Sequence, residues 1–241
     1  MLLASIEDKI SSCYTDGFDQ FTDFLSLEEA DEVFRILKDT GLEIRFYGGY
    51  TEAERRMLGM SLSDEPSEFP ISILCGEWDK FGEISHRDIL GSIMALGIER
   101  RCIGDILVDS DQRKFYVFAV KRMTDYLQNN VDRIGRCSVQ WHVVDDPKIL
   151  PECLCEEKRI PVSSLRVDVI IAAVWRLSRQ MAGDFIASRA VFVNHRAVTK
   201  CMQLLKPGDS VVLRGRGKFI FLEENGLSKK GKTYILVKQY L

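Results

Sequence analysis

Ser164-Leu165-Arg166-Val167-Asp168-Val169-Ile170-Ile171, followed closely by Arg176-Leu177-Ser178-Arg179-Gln180-Met181-Ala182, decides how the last third of the chain folds. Leu165, Val169, Ile170 and Ala173 recur at helical spacing, as do Met181, Phe185 and Ile186, so two short helices are predicted. Ser178 is a suitable N-cap for the second helix. Beyond them Val191 and Val193 alternate as a strand, and Asn194-His195 turns tightly into Ala197-Val198. Pro207-Gly208-Asp209 then feeds the strand Ser210-Val211-Val212-Leu213.

Charge gives the segment its chemistry. Residues 160 to 241 hold 14 Lys and Arg against 5 Asp and Glu, a balance of +9. The preceding 159 residues hold 19 against 31, or −12, which leaves the chain at −3. A basic domain joined to an acidic body is the electrostatic footprint of a polyanion binder, although charge excess alone also fits a solvated basic face.

The same segment resembles the small RNA-binding domain named after ribosomal small-subunit protein four. That domain reads Arg-Leu-Asp, a helix, Ser-Arg-x-x-Ala, Val-x-Val-Asn-Gly, and later Gly-Asp before a basic strand. Here the matches are Arg166 and Asp168, then Ser178, Arg179 and Ala182, then Val191, Val193 and Asn194, then Gly208 and Asp209. The resemblance implies that Arg166, Ser178, Arg179, Asn194, Arg196 and Lys200 lie on or near an RNA-facing surface, with His195 in the turn beside it. Charge adds Arg189, Arg214, Arg216 and Lys218. Arg189 and His195 stand where that family often has glycine, so the backbone there must differ or tolerate strain.

The rest of the chain sets bounds. At 241 residues it has room for one large domain or two to three small ones, and 46% hydrophobic content fits an ordinary globular protein. No apolar run approaches the roughly 20 residues of a membrane span, so no membrane insertion is expected. The first residues lack a basic end leading into an apolar stretch, which argues against a signal peptide. Seven scattered cysteines suit a reducing cytoplasm better than a disulfide framework. Cys153 and Cys155 are too close for the usual zinc spacing and read as linker thiols, and His86, His142 and His195 show no ligand spacing. No metal and no cofactor is expected.

Residues 1 to 68 are acidic, with 6 Lys and Arg against 16 Asp and Glu. Ser26-Leu27-Glu28-Glu29 has capping-box spacing and opens a helix through Leu37, and Leu42 to Phe46 alternates as a strand. Gly48-Gly49 turns the chain, and Thr51 to Glu54 has the spacing of a second helix-opening capping box before Arg55-Arg56-Met57-Leu58. After a boundary loop come strand 71–75, helix 86–97, strand 104–109, strand 114–120, helix 121–131 and strand 137–144. This βαββαβ order predicts a split βαβ sandwich, with Ser85 capping its first helix. Phe115 and Val117 would pack one face of the sheet, Tyr116 and Phe118 the other.

Phe46-Tyr47-Gly48-Gly49-Tyr50 with Ala53-Glu54-Arg55-Arg56, His86 to Gly91, Leu96 to Ile98 and Gly104 to Val108 together resemble the YlmH-like bacterial proteins, in which the same terminal domain follows. The resemblance covers nearly the whole chain. It implies a noncatalytic factor on the large ribosomal subunit, contacting rRNA and tRNA during rescue or quality control of stalled ribosomes. It also gives weight to Arg87, Arg100 and Arg101 as secondary RNA contacts. The expected layout is α+β: a small N-terminal α/β unit at 1–68, the central domain at 69–150, a linker at 151–159 and the RNA-binding domain at 160–241.

An enzyme is disfavoured. Arg166-Val167-Asp168 echoes a pseudouridine synthase motif but lies in the small RNA-binding unit. Neither Gly48-Gly49 nor Arg214-Gly215-Arg216-Gly217 joins a strand to a helix as a methyltransferase cofactor loop does. The competing readings are an RNA-modifying enzyme and a cell-division adaptor that docks a protein partner through the acidic N-terminal unit.

Overall fold

The computed structural model describes residues 2–37, 40–66, 68–151, 155–228 and 231–240; Cys153 lies outside them. The protein is α+β with three antiparallel sheets. It divides into two compact units, Met1–Pro151 and Glu152–Leu241. The sequence boundary expected at 68 therefore separates two sheets inside the first unit.

The first sheet follows α1 (Leu2–Asp16) and holds β1 (Gln20–Phe21), β2 (Glu43–Tyr47) and β3 (Met57–Ser61) in the order β1-β3-β2, with α2 (Leu27–Leu37) between β1 and β2. Ser26 caps α2 as its sequence requires: the Glu29 N–H donates to Ser26 Oγ, and the Ser26 N–H donates to Glu29 Oε2 at 2.7 Å. Ile6 and Cys13 of α1 meet Val33 and Leu37 of α2 over Leu58 and Met60.

The helix expected after Thr51 is absent. Met57–Ser61 is instead the central strand of this sheet, buried at all five residues. The amides of Glu54 and Arg55 are satisfied by the carboxylate of Asp105, at 2.7 and 3.1 Å, so no helix turn is needed to satisfy them.

The second sheet is built from β4 (Ile71–Trp78), α3 (His86–Ala95), β5 (Ile103–Asp109), β6 (Lys114–Val120), α4 (Thr124–Asn130), β7 (Arg133–Ile134) and β8 (Cys137–Val144). Its order is β5-β6-β4-β8-β7, every pair antiparallel. The predicted βαββαβ order is present, with β7 added and with a 3-10 turn at Lys121–Met123 where the second helix was expected to begin. Phe115, Tyr116, Val117 and Phe118 are all buried, so the aromatics of β6 are core rather than an open stacking surface. Phe115 meets Trp78 and Trp141, whereas Phe118 stacks on Tyr50 at 4.9 Å.

The second unit runs β9 (Cys155–Val162), α5 (Val167–Val174), α6 (Arg179–Ala187), β10 (Val191–Val193), β11 (Arg196–Ala197), β12 (Ser210–Leu213), β13 (Gly217–Leu227) and β14 (Thr233–Tyr240). The sheet order is β11-β10-β12-β13-β14-β9. Residues 155–159, expected as linker, belong to β9, which pairs with β14 along its length. Its charged Glu156-Glu157-Lys158-Arg159 run suits a strand at the sheet edge. Ile170, Ile171, Val191, Val211, Phe219, Phe221, Ile235 and Val237 fill the core between sheet and helices. Met181, predicted on the apolar face of α6, is 43% exposed; Ile186 faces inward as expected, and Ala182 joins it.

Candidate nucleic-acid interface

In the basic unit, the motif residues meet around one carboxylate. Asp168, in the first turn of α5, is buried and accepts from Arg166 Nε at 3.1 Å and Arg166 Nη2 at 2.9 Å. Arg179 Nη2 reaches the same carboxylate from the start of α6. Ser178 caps α6, its hydroxyl accepting from the Met181 N–H at 3.1 Å. Two arginines and one aspartate therefore brace the two helices and leave one positive charge in excess, on guanidinium groups that are partly exposed.

The two turns form a second constellation. Asn194 and His195 have φ values of 48° and 63°, the pair of positive angles a two-residue I′ hairpin requires. Asn194 Nδ2 donates to Asp209 Oδ1 at 2.8 Å, while its Oδ1 accepts from the Ser210 N–H at 2.9 Å. Asp209 Oδ2 in turn accepts from the Lys206 N–H. The side-chain amide of Asn194 is thus committed to fastening one turn to the other. Arg196 lies half-buried in β11, and Lys200 is exposed beyond it. Lys218 is only 7% exposed and lies over the Tyr240 ring at 4.9 Å.

Arg189 closes α6 with φ 55°, and Arg176 closes α5 with φ 53°. A side chain with a Cβ in this region costs roughly 1–2 kcal/mol, which is why glycine usually takes such positions. The strain expected at Arg189 and His195 is present. Arg189, Arg214 and Arg216 are exposed, and Arg176, which motif reading passed over, joins them.

In the first unit the secondary arginines divide. Arg87 is exposed on α3. Arg100 is half-buried, with its Nη1 donating to the carbonyls of Ile103 and Gly104. Burial, reinforced by the neighbouring Arg55 charge, lowers the Arg100 pKa to about 10. Arg55 donates to the carbonyls of Phe24 and Ile103, each at 3.1 Å. Arg101 is exposed and paired with Glu99 at 2.8 Å. Arg55 therefore ties the two sheets of the unit together and Arg100 is held against the start of β5, while Arg87 and Arg101 remain at the surface.

One cluster crosses strands that sequence spacing could not connect. Cys75 and His142 face each other on β4 and β8, and Glu77 follows two residues on; their ligand atoms lie within 4.8 Å of one another. The donor types suit a divalent cation, but Glu77 is already 3.0 Å from Lys114 Nζ. Burial pushes the Cys75 thiol up to about 11, with Glu77 adding to the shift. A cleft of about 690 Å³ in the same unit is lined by Ile6, Phe21, Phe24, Asp23, Arg101 and Arg122, and Asp23 is paired with Arg122 at 2.8 Å.

Residues 65–146 match the family described as "Putative RNA-binding domain in YlmH". Over 218 residues, 88% of this chain and 84% of the relative, 28% of positions are identical to Ribosome-associated protein quality control protein P2 of Bacillus subtilis (strain 168). The structure of Cell division protein ylmH from Streptococcus pneumoniae superposes with a TM-score of 0.52 at 22% identity, across 62% of this chain and 93% of that one, and so shares its fold. The resemblance to the YlmH family carried by the glycine-rich and His86–Gly91 motifs is borne out.

Proposed function

We propose that this chain, a relative of a ribosome-associated quality control protein, is a noncatalytic RNA-binding factor of the large ribosomal subunit, contacting rRNA and tRNA when translation stalls. The observation that carries the reading is the length of that relationship, 218 residues and 88% of the chain, which takes in residues of both units. The concentration of positive charge in residues 160 to 241 supports it, because phosphate contacts dominate affinity for RNA. The second unit adds two helices with a shared Arg166–Asp168–Arg179 brace and a six-stranded antiparallel sheet, and we read it as a domain like that of ribosomal small-subunit protein four. No helix among the described residues is long and apolar enough to cross a membrane, and the proposed place of action is the cytoplasm.

In this reading the protein acts by placement. Basic side chains neutralise phosphates and rigid turns set the register on folded RNA. Crosslinking and sequencing of RNA bound in cells, with fractionation across ribosomal particles, tests it. The expected result is a discrete large-subunit rRNA site together with tRNA. Recovery of neither, with the protein away from ribosomes, would overturn the function and leave the fold as described.

A further inference from the structure

Both helices of the basic unit end on an arginine in the left-handed region, Arg176 after α5 and Arg189 after α6. The hydrogen bonds that close these helices need backbone only. The Leu177 N–H donates to the Ala172 carbonyl at 2.8 Å, and the Ala190 N–H donates to the Phe185 carbonyl at 2.9 Å. Glycine would make the same bonds without the steric cost of a Cβ. Attraction between a cation and the negative end of a helix offsets part of that cost, but a lysine or arginine one residue earlier would supply it without strain.

The two helix ends are also tied to one hairpin turn. Trp175 Nε1 donates to the Arg216 carbonyl at 3.0 Å, and the Arg214 N–H donates to the Ala190 carbonyl at 3.0 Å. Arg176, Arg189, Arg214 and Arg216 thus stand on three neighbouring stretches of chain, and all four are exposed. Among the described residues none of Arg176, Arg189 and Arg216 enters an ion pair, whereas Arg166 and Arg179 share the Asp168 carboxylate. Arg176, Arg189 and Arg216 therefore carry charge that no carboxylate among the described residues pairs with.

We propose that these four arginines form a phosphate-gripping face for the backbone of folded RNA, and that Arg176 and Arg189 keep their strained conformations because their guanidinium groups serve that contact. The proposal rests on the RNA-binding reading above and adds to it a location and a residue, Arg176. Guanidinium groups suit the task, since each presents a planar fork to phosphate oxygens.

The test uses the full chain carrying Arg176→Gly and Arg189→Gly together. Strain and function predict opposite signs. Urea unfolding should show the variant at least as stable as the wild type, because glycine relieves both left-handed positions. Filter binding to a labelled tRNA pool and to purified large-subunit rRNA should show affinity falling about tenfold for RNA. The slope of log affinity against log salt should shrink by about 0.7–0.9 for each phosphate the variant no longer neutralises. A folded variant with unchanged affinity and slope overturns this proposal alone. A variant that is destabilised overturns the strain argument on which it stands. A wild-type chain that binds neither RNA overturns it together with the RNA-binding reading. Intact RNA binding with loss of a nuclease-resistant protein complex would assign the face to an acidic protein and also overturn it.

Discussion

At the scale of single residues, the side chains that decide this structure are those that settle backbone groups no local neighbour can reach. Asp105 sits where the β5–β6 register shifts, and its carboxylate accepts from the Tyr50 hydroxyl and the Glu54 and Arg55 amides. Gly104 beside it is required by packing: a Cβ there would lie 2.6 Å from the Phe24 ring. Replacing Asp105 with Ala strands three donors at the joint between sheets, and urea denaturation should register a loss of about 2–4 kcal/mol. Thiol chemistry gives a second residue-level expectation. Cys13, Cys75 and Cys102 are buried and their pKa values are raised, chiefly by burial, while Cys155 is exposed. Brief alkylation of the native protein near pH 8, read by peptide mass spectrometry, should label Cys155 and spare those three until denaturant is added. Early labelling of Cys75 would contradict the packing of β4 against β6 and β8. None of this was legible in the sequence as an interaction. The Gly104-Asp105 motif was visible, but its partners lie some 50 residues away.

At the scale of elements, what was legible is what is local. Ser85 and Asp88 form the capping box their spacing announces, the Ser85 N–H donating to Asp88 Oδ2 at 2.9 Å. Ser178 caps α6, and Asn194-His195 makes the two-residue turn, for the same reason: each is a bond between residues at most three apart. Ser85→Ala should cost about 1 kcal/mol and raise exchange at the first turn of α3. The box also carries a pH dependence. The Ser85 hydroxyl and then its N–H hold the Asp88 carboxyl below its ordinary value of 3.8, and the Ser138 and Phe81 N–H groups do the same for Asp79. A native pKa below the unfolded one means stability that is complete above about pH 5 and lost as pH falls through 3.8 toward the lowered native values. Asp88→Asn should therefore flatten the acid side of a melting temperature curve between about pH 4 and 2. An unchanged acid limb would remove the box from the account. Among the elements that escaped sequence reading, β13 has a pattern broken by the pairing itself. The β13–β14 ladder shifts register between Phe221 and Glu223 and again between Glu224 and Leu227, so alternation fails across the Glu223-Glu224-Asn225 stretch. The false helix at Thr51 failed for the converse reason: good local capping spacing was outweighed by five residues buried in the middle of a sheet.

At the scale of the whole molecule, two units with separate cores divide chemistry as well as packing. The core of the second unit contains only its own residues, from Val162 to Val237, and the first unit's two clusters contain only theirs. The charge follows the same division, since the +9 stretch lies wholly inside the second unit and the first contains the acidic N-terminal residues. The core of the second unit is therefore closed by its own residues, although β9 and β14, at the two ends of that stretch, pair with each other across some 80 residues. A core cavity should then act within one unit. Ile170 is fully buried on α5, the same helix that presents Asp168 to Arg166 and Arg179. Ile170→Ala should remove about 2–4 kcal/mol. By hydrogen exchange, the loss of protection should fall on α5, α6 and the β10–β14 amides and leave α3, β4 and β6 as they were. If β4 and β6 lose protection equally, the two units unfold as one and the cores are not energetically separate. If the loss stays in the second unit, RNA affinity should fall only to the extent that the unit is unfolded, and should recover when temperature is lowered toward its maximum of stability. That recovery separates a weakened scaffold from a weakened binding surface, because an arginine removed from the surface does not return on cooling.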